Sequence, residues 1–345
     1  MTTTLKMTLA ALTGALLVAC GGDRPAKAPT DVPPPIDTPS PGDASGGASA
    51  PSAARAEIER GTKALESGDA AGAKAAFEEA VAKAPKDPAA HYYLGLALDR
   101  AGDKAGAEKS YKAALGLRAD LEEAAQNLSA LYIEGQRFAE AADVAKGALT
   151  KHPKNAGLAL NLAVALSGKG DHDGAAKAFD DAAKAAPKDA MVLVTWGSHL
   201  GQWKKPDEAA QKLRAAEKLA GDDVGMLASI GFELKNVGAF PDCIGVLDRA
   251  IAKKPAAELL TYRSLCKYGA KDKAGALKDL HEAVAKEPKY APAHYYLGGR
   301  LGEEGKLKEA AAEFQRYLDL EPNGPLAKAA QAKLKLAKDK AGKKK

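Results

Sequence analysis

The sequence predicts an all-α fold built from repeated pairs of antiparallel helices. Residues 156–189 read as two amphipathic helices separated by a tight turn at residues 168–171, because small and apolar residues recur at helical spacing in both halves. Small Ala175 allows close helix packing, Phe179 fills the space between the helices, and Pro187 ends the second helix. The same pattern recurs every 34 residues. One such pair cannot bury its apolar face alone, so neighbouring pairs must stack.

Eight copies of this pattern cover residues 54–324. One residue is missing between the sixth and seventh copies, near residues 256–271. A further amphipathic segment, at residues 325–337, is predicted to be a helix that caps the last open edge, within a C-terminal region of residues 325–345. The copies begin at Ala54, Pro88, Glu122, Ala156, Ala190, Val224, Ala257 and Ala291.

The 34-residue period, the spacing of small, aromatic and proline residues, and the sequence HYYLG at residues 91–95 and 294–298 resemble the tetratricopeptide repeat family. The resemblance covers residues 54–324. It implies a right-handed superhelical solenoid of about eight helix-turn-helix repeats plus a C-terminal capping helix. It also implies that one face of each first helix lines a concave groove that binds a partner protein.

At 100° per residue, repeat positions 2, 5, 6, 9 and 12 of each first helix share one face. They carry apolar, aromatic and amide side chains here, so we expect a partner-binding stripe; the alternative for any single side chain is packing between repeats. The predicted groove residues are Tyr92, Leu96, Gln126, Asn127, Leu160, Asn161, Val164, Val194, Phe232, Lys235, Leu265 and Tyr295.

Some members of the family grip a C-terminal carboxylate with lysines, asparagines and an arginine at fixed groove positions. Asn127 and Asn161 match the asparagine in type, but Ile58, Gln126 and Leu160 stand where basic residues would be needed. We therefore expect no clamp of this kind. An extended peptide or a helix with apolar anchors fits the predicted groove better.

Residues 1–20 predict a lipoprotein signal peptide. The apolar residues 7–19 are too few to span a bilayer but suit a signal-peptide core. The sequence LVAC at residues 17–20 resembles the bacterial lipobox, which implies lipidation of Cys20; the alternative is an ordinary signal peptide with an incidental cysteine. Because Gly21 follows instead of aspartate, we expect a stable lipid anchor in the outer membrane, facing the periplasm.

Residues 21–53 are rich in proline, alanine, serine and glycine and predict a linker without its own core. The formal net charge of the chain is +5, and lysines are concentrated in residues 338–345. This basic tail either contacts anionic lipid, cell-wall polymer or an acidic partner, or remains solvated. Nucleic acid is not an expected partner, because the signal sequence exports the protein.

No pattern in the sequence predicts catalysis. The six histidines lie far apart, without the spacing of metal ligands, and Gly168, Lys169 and Gly170 lack the strand–loop–helix context of a phosphate-binding loop. We expect a protein that is not an enzyme and that uses no cofactor or metal.

Two cysteines remain after lipidation of Cys20. Cys243 and Cys266 fall at similar heights on two antiparallel helices. They are either a disulfide formed in an oxidising periplasm or two small buried hydrophobic side chains.

Together these features predict a membrane-anchored scaffold or assembly factor for a cell-envelope complex. Similar lipoproteins of the family serve pilus secretins, outer-membrane protein assembly or motility machinery, which are the partner classes that the resemblance implies. The alternative is a regulator that recruits enzymes of cell-wall synthesis or hydrolysis.

Overall fold

A computed structural model describes residues 53–342 and contains 17 α-helices and no strand within that range. The predicted all-α class, the eight helix pairs and the additional C-terminal helix are confirmed. The predicted signal peptide, the predicted lipidation of Cys20, residues 21–52 of the linker and the end of the basic tail lie outside the described residues.

The chain divides into two compact units, Met1–Pro187 and Lys188–Lys345. The first unit contains α1 (Arg55–Glu66), α2 (Ala70–Lys83), α3 (Pro88–Arg100), α4 (Lys104–Leu117), α5 (Glu122–Glu134), α6 (Phe138–Leu149), α7 (Ala156–Gly168) and α8 (His172–Ala185). The second unit contains α9 (Ala190–Gln202), α10 (Pro206–Ala220), α11 (Val224–Asn236), α12 (Phe240–Lys253), α13 (Ala257–Gly269), α14 (Lys273–Lys286), α15 (Ala291–Glu303), α16 (Leu307–Leu320) and α17 (Ala327–Gly342).

A repeated aspartate–glycine pair sets the start of the second helix in four of the pairs. In each case the aspartate is the N-cap residue, and its carboxylate accepts a hydrogen bond from the backbone N–H of a glycine three residues later. In the fourth pair, Gly170 precedes this cap with φ of 82°, which glycine adopts without strain. The capping pairs are Asp69 with Gly72, Asp103 with Gly106, Asp171 with Gly174, and Asp272 with Gly275.

Close contact between a glycine of the first helix and an aromatic ring of the second holds several pairs together. A Cβ atom added to Gly95 would lie 2.7 Å from the ring of the buried Tyr111. In the second unit, a Cβ atom on Gly298 would lie 3.1 Å from the ring of Phe314. The two helices of these pairs therefore approach more closely than a larger residue would allow.

The second unit also contains a buried cluster of charged side chains. The Arg263 guanidinium donates to both carboxylate oxygens of Asp279, at 2.8 and 2.7 Å, and to Asp248 at 2.7 Å. The Lys267 ammonium donates to Asp279 at 3.0 Å. Asp279 is 2% exposed, whereas Arg263 and Lys267 are 16% and 18% exposed.

Helix α17 packs against the last pair, as predicted for a capping helix. Ala330 and Leu334 join the core that contains Phe314 and Tyr317, whereas the lysines of α17 face solvent. The helix extends to Gly342, so much of the segment predicted as a tail is helical. Within residues 53–342, none of the helices has both the length and the apolar character required to cross a membrane.

Candidate functional site

Two of the predicted groove residues in the first unit are buried. Tyr92 is 1% exposed and Leu96 is 9% exposed, so the prediction that these side chains face a groove is wrong. The Tyr92 ring centroid lies 5.1 Å from that of Tyr93 and 6.1 Å from that of Tyr111, and burial raises the pKa of the Tyr92 hydroxyl. Tyr92 is therefore part of the core.

The two predicted groove asparagines join neighbouring first helices. The Asn161 amide on α7 donates to the Gln126 carbonyl and to the Ser129 hydroxyl on α5, both at 2.9 Å. The Asn127 amide lies 3.5 Å from the hydroxyl oxygens of Tyr92 and Tyr111. Both side chains thus have structural partners, and the described contacts explain them without a bound ligand.

Three other predicted residues of the first unit remain accessible. Gln126 is exposed, and Leu160 and Val164 are half-buried. A Cβ atom on Gly157 would lie 2.5 Å from the Gln126 side chain, so the absence of a side chain at Gly157 gives Gln126 its place across α5 and α7. This patch is smaller and more polar than the sequence predicts.

Two of the predicted groove residues in the second unit are also buried. Val194 is 5% exposed and Tyr295 is 9% exposed. Tyr295 packs with its ring centroid 5.9 Å from Phe314 and 5.7 Å from Tyr317. For both residues the predicted groove position is wrong, because neighbouring helices cover the side chains.

The three remaining predicted residues of the second unit, together with Tyr262, form an accessible surface on two neighbouring first helices. Phe232 and Lys235 on α11 and Tyr262 and Leu265 on α13 are all half-buried; we call these four residues the α11–α13 face. The Phe232 and Tyr262 ring centroids lie 5.8 Å apart. The Lys235 ammonium lies 4.3 Å from the centre of the Phe232 ring, a cation–π arrangement. This face presents apolar and aromatic area beside one positive charge.

The same surface continues from α13 to α15. The Arg300 guanidinium lies 3.5 Å from the centre of the Tyr268 ring. The Tyr268 hydroxyl donates to Glu303 at 3.0 Å, and the Arg300 guanidinium also donates to Glu303, at 3.3 Å. These contacts orient Tyr268, and they pair the charge of Arg300 with the Tyr268 ring and the Glu303 carboxylate.

The prediction from the sequence omitted Tyr262, although the repeat contains the signal for it. Tyr262 occupies position 6 of the seventh repeat, the position that holds Asn127 and Asn161 in the third and fourth repeats. Its hydroxyl donates to the Glu258 carboxylate at 3.1 Å. Applying the same position to every repeat would have included it.

Burial changes the electrostatics of α11. It lowers the pKa of the Lys235 ammonium, and the nearby Glu233 carboxylate acts in the opposite direction. Burial also raises the pKa of the Glu233 carboxyl, whereas its hydrogen bonds with Asn236 and Ser198 act to lower that pKa. Glu233 is 6% exposed, so only Lys235 presents its charged group at the accessible side of this helix.

Cys243 on α12 and Cys266 on α13 are joined by a disulfide, with Cα atoms 6.2 Å apart. Both side chains are completely buried. Of the two alternatives drawn from the sequence, the structure has the disulfide. Cys266 follows Leu265 directly, so the covalent link joins α12 to the helix that carries Tyr262 and Leu265.

A cluster of metal-binding side chains does not assemble within the described residues. Residues 53–342 contain no group of three or more histidine, cysteine, aspartate or glutamate side chains with the geometry of a metal site. The accessible surfaces described above are built from rings, aliphatic groups and single charges. Such surfaces suit protein binding.

One curated relative and two solved structures illustrate the similarity of this chain to known proteins. Cellulose synthase operon protein C of Xanthomonas axonopodis pv. citri is 30% identical over 210 residues, which are 58% of this chain. The match spans only 14% of that protein. The crystal structure of yeast Tom70 matches 89% of this chain and 67% of its own, at 17% identity and a TM-score of 0.55. A tetratricopeptide repeat protein from Parabacteroides merdae matches 83% of this chain and 98% of its own, at 17% identity and a TM-score of 0.49.

The likeness to Tom70 supports the fold, and sequence models of the repeat identify the family. Two models described as tetratricopeptide repeat match this chain, one at residues 58–126 and 267–325 and the other at residues 132–193. These matches fall on helix pairs of both units. The chain belongs to the tetratricopeptide repeat family.

Proposed function

We propose that this protein is a lipid-anchored scaffold that binds a partner protein of the cell envelope through its first helices. The observation that carries the proposal is the α11–α13 face, an accessible surface of two aromatic rings, one leucine and one lysine on adjacent helices. Proteins of this family typically act as interaction scaffolds and not as enzymes, and the chemistry of this face agrees with that role.

The sequence supports a location at the outer membrane, facing the periplasm. The apolar residues 7–19, the LVAC sequence that ends at Cys20 and the proline-rich linker together fit an exported, lipid-anchored domain on a spacer. Substituting Cys20 with serine should abolish incorporation of labelled palmitate and release the protein from the membrane fraction. Retention of the label by this variant would refute lipidation at Cys20.

The partner classes are pilus or secretin subunits, the outer-membrane assembly complex and motility machinery. The similar cellulose synthase operon protein adds polysaccharide synthesis machinery to these classes. Recruitment of cell-wall synthases or hydrolases is the alternative function, which the lysine-rich α17 favours through its capacity to contact anionic cell-wall polymer.

In-cell photocrosslinking tests the proposal. A photoreactive amino acid replaces Leu265 in the full-length protein, and captured proteins are identified by mass spectrometry. The matched control carries the same photoreactive group at Lys278, an exposed residue of α14. We expect one envelope protein to be captured from Leu265 and not from Lys278.

The identity of the captured protein decides between the two functions. A subunit of a secretion, pilus, motility or polysaccharide machine supports the scaffold, whereas a cell-wall synthase or hydrolase supports the alternative. Identical products from both positions would refute use of the α11–α13 face. A Phe232→Ala variant should reduce capture from Leu265 while leaving the circular dichroism of the protein unchanged.

A further inference from the structure

Lys235 differs from three other half-buried basic side chains of the second unit, namely Arg263, Lys267 and Arg300. Arg263 and Lys267 are both held by Asp279, and Arg300 is held by Glu303. By contrast, among residues 53–342 no carboxylate lies within ion-pair distance of the Lys235 ammonium, whose contact is the Phe232 ring. Burial of this ammonium is unfavourable without an anionic partner.

The acidic side chains around the α11–α13 face do not supply that partner. The Glu258 carboxylate accepts a hydrogen bond from the Tyr262 hydroxyl, and Glu303 accepts from Tyr268 and Arg300. Glu233 is buried within α11. The charge of Lys235 is therefore available to a molecule that covers the neighbouring aromatic rings.

We propose that the α11–α13 face binds a peptide segment that places an aspartate or glutamate carboxylate on Lys235 and a large apolar side chain against Phe232, Tyr262 and Leu265. This inference rests on the proposed scaffold function and specifies the chemistry of its partner. Charge complementarity favours it, since a carboxylate would neutralise the half-buried ammonium at the moment when the partner excludes water from the face.

The α11–α13 face differs from a site that binds the carboxylate at the C-terminus of a partner chain. One lysine on α11 and a row of rings on α11 and α13 recognise an internal acidic residue next to an apolar one, and no second cation of the face converges on the same point. Arg300, on the part of this surface that continues to α15, stacks on Tyr268 and donates a hydrogen bond to Glu303, so its charge is already engaged.

Peptide selection tests this proposal with a defined probe. A phage-displayed library of random 12-residue peptides is selected on the immobilised full-length protein, and individual peptides are then measured by fluorescence anisotropy. We expect the selected peptides to share an acidic residue within a few positions of phenylalanine, leucine or tryptophan. We also expect replacement of that acidic residue by its amide to weaken binding about 10-fold or more, the effect of one charge-assisted hydrogen bond.

Two variants separate the role of the charge from that of packing. Lys235→Met keeps much of the aliphatic stem but removes the ammonium, and it should weaken the acidic peptides about 10-fold or more. The matched control is Lys212→Met on α10, which also removes an ammonium above an aromatic ring, that of Trp196 at 3.3 Å, and which should change binding less than twofold. Lys235→Glu should restore binding of peptides whose acidic residue is changed to lysine.

The outcomes distinguish this inference from the function on which it rests. If the Lys235→Met variant binds the acidic peptides as tightly as the wild type and crosslinking from Leu265 is retained in cells, carboxylate recognition is overturned and the scaffold proposal stands. Both proposals are overturned if the Phe232→Ala variant binds the selected peptides with unchanged affinity and specific crosslinking from Leu265 is lost. A 12-nucleotide oligothymidylate that displaces the selected peptides at comparable concentration overturns the assignment of a peptide ligand.

Discussion

Removal of the Asp279 carboxylate tests the electrostatic account of the seventh helix pair. Asp279→Ala deletes the acceptor of three hydrogen bonds, two from Arg263 and one from Lys267, at a site where the carboxylate is 2% exposed. Breaking a buried ion pair by removing one partner costs about 3 to 5 kcal/mol. Arg263 retains Asp248 and both cations are partly exposed, so we expect a loss near the lower limit, about 3 kcal/mol.

The fourth helix pair supplies a matched control for this experiment. At the positions that correspond to Arg263, Lys267 and Asp279, it has leucine, leucine and alanine, namely Leu162, Leu166 and Ala178. The triple variant R263L/K267L/D279A therefore gives the seventh pair the apolar residues that the fourth pair has at these three positions. Because replacement of a complete buried ionic group by apolar residues is often neutral or stabilising, we expect this variant to lie within about 1 kcal/mol of the wild type or above it.

Hydrogen exchange is the appropriate assay, because stacked repeats can open locally and a single unfolding transition would average over them. The free energy of opening is measured for the amides of α13 and α14, with α2 in the other unit as the internal reference. The reasoning is refuted if D279A lowers protection by less than about 1 kcal/mol, or if the triple variant loses as much as D279A. The second result would mean that packing of the three side chains, and not an uncompensated charge, sets the stability.

Two other predictions concern the covalent link and the acid stability. Reduction of the Cys243–Cys266 disulfide, which spans a sequence separation of 23 residues, should lower the unfolding free energy of the second unit by about 3 kcal/mol. Urea unfolding with and without reductant measures this change. An unchanged unfolding midpoint after proven loss of the disulfide would contradict the prediction. In the first unit, hydrogen bonds from Arg137 lower the pKa of the Glu108 carboxyl from 4.5 to about 2. The stability gained from this carboxylate is present above pH 4.5 and is lost as the pH falls toward 2, so the wild type should lose its advantage over Glu108→Gln across that interval, and a constant difference in unfolding free energy between pH 6 and 2 would refute the assignment.

The sequence was sufficient to predict the repeat architecture because each helix pair encodes its boundaries locally. An aspartate cap, a turn glycine and a small residue opposite an aromatic ring lie within one 34-residue window, and each acts through near neighbours in the chain. The helices α3, α5, α7, α9, α11, α13 and α15 accordingly begin at the residues where the sequence starts each repeat. Even the shortened interval before the seventh repeat is reproduced, since α13 begins at Ala257.

Exposure of the groove side chains was less predictable. A helical wheel gives the direction of a side chain but not the depth to which the next repeat covers it. Tyr92 points toward the predicted face, yet Tyr93, Tyr111 and Asn127 enclose its ring and hydroxyl. A long aromatic side chain reaches its neighbours from the same angular position at which a shorter one would remain accessible. Tyr295 was misassigned for the same reason.

Departures from the repeat pattern are concentrated in the sixth and seventh pairs, and their proximity has a physical consequence. This region lacks one residue of the period, carries the disulfide between α12 and α13, and replaces apolar positions with the Arg263, Lys267 and Asp279 cluster. The disulfide and the ionic cluster both restrict the movement of α13, the first by a covalent bond to α12 and the second by directional hydrogen bonds that include Asp279 of α14.

The α11–α13 face is built on the helix that these restraints hold. A binding surface made of half-buried rings loses less conformational freedom on association when its supporting helix is already fixed, so more of the contact energy is retained as affinity. Under the proposed binding role of the α11–α13 face, the disulfide and the buried cluster would serve binding as well as stability. They restrain α13, which carries Tyr262 and Leu265, against α12 and α14.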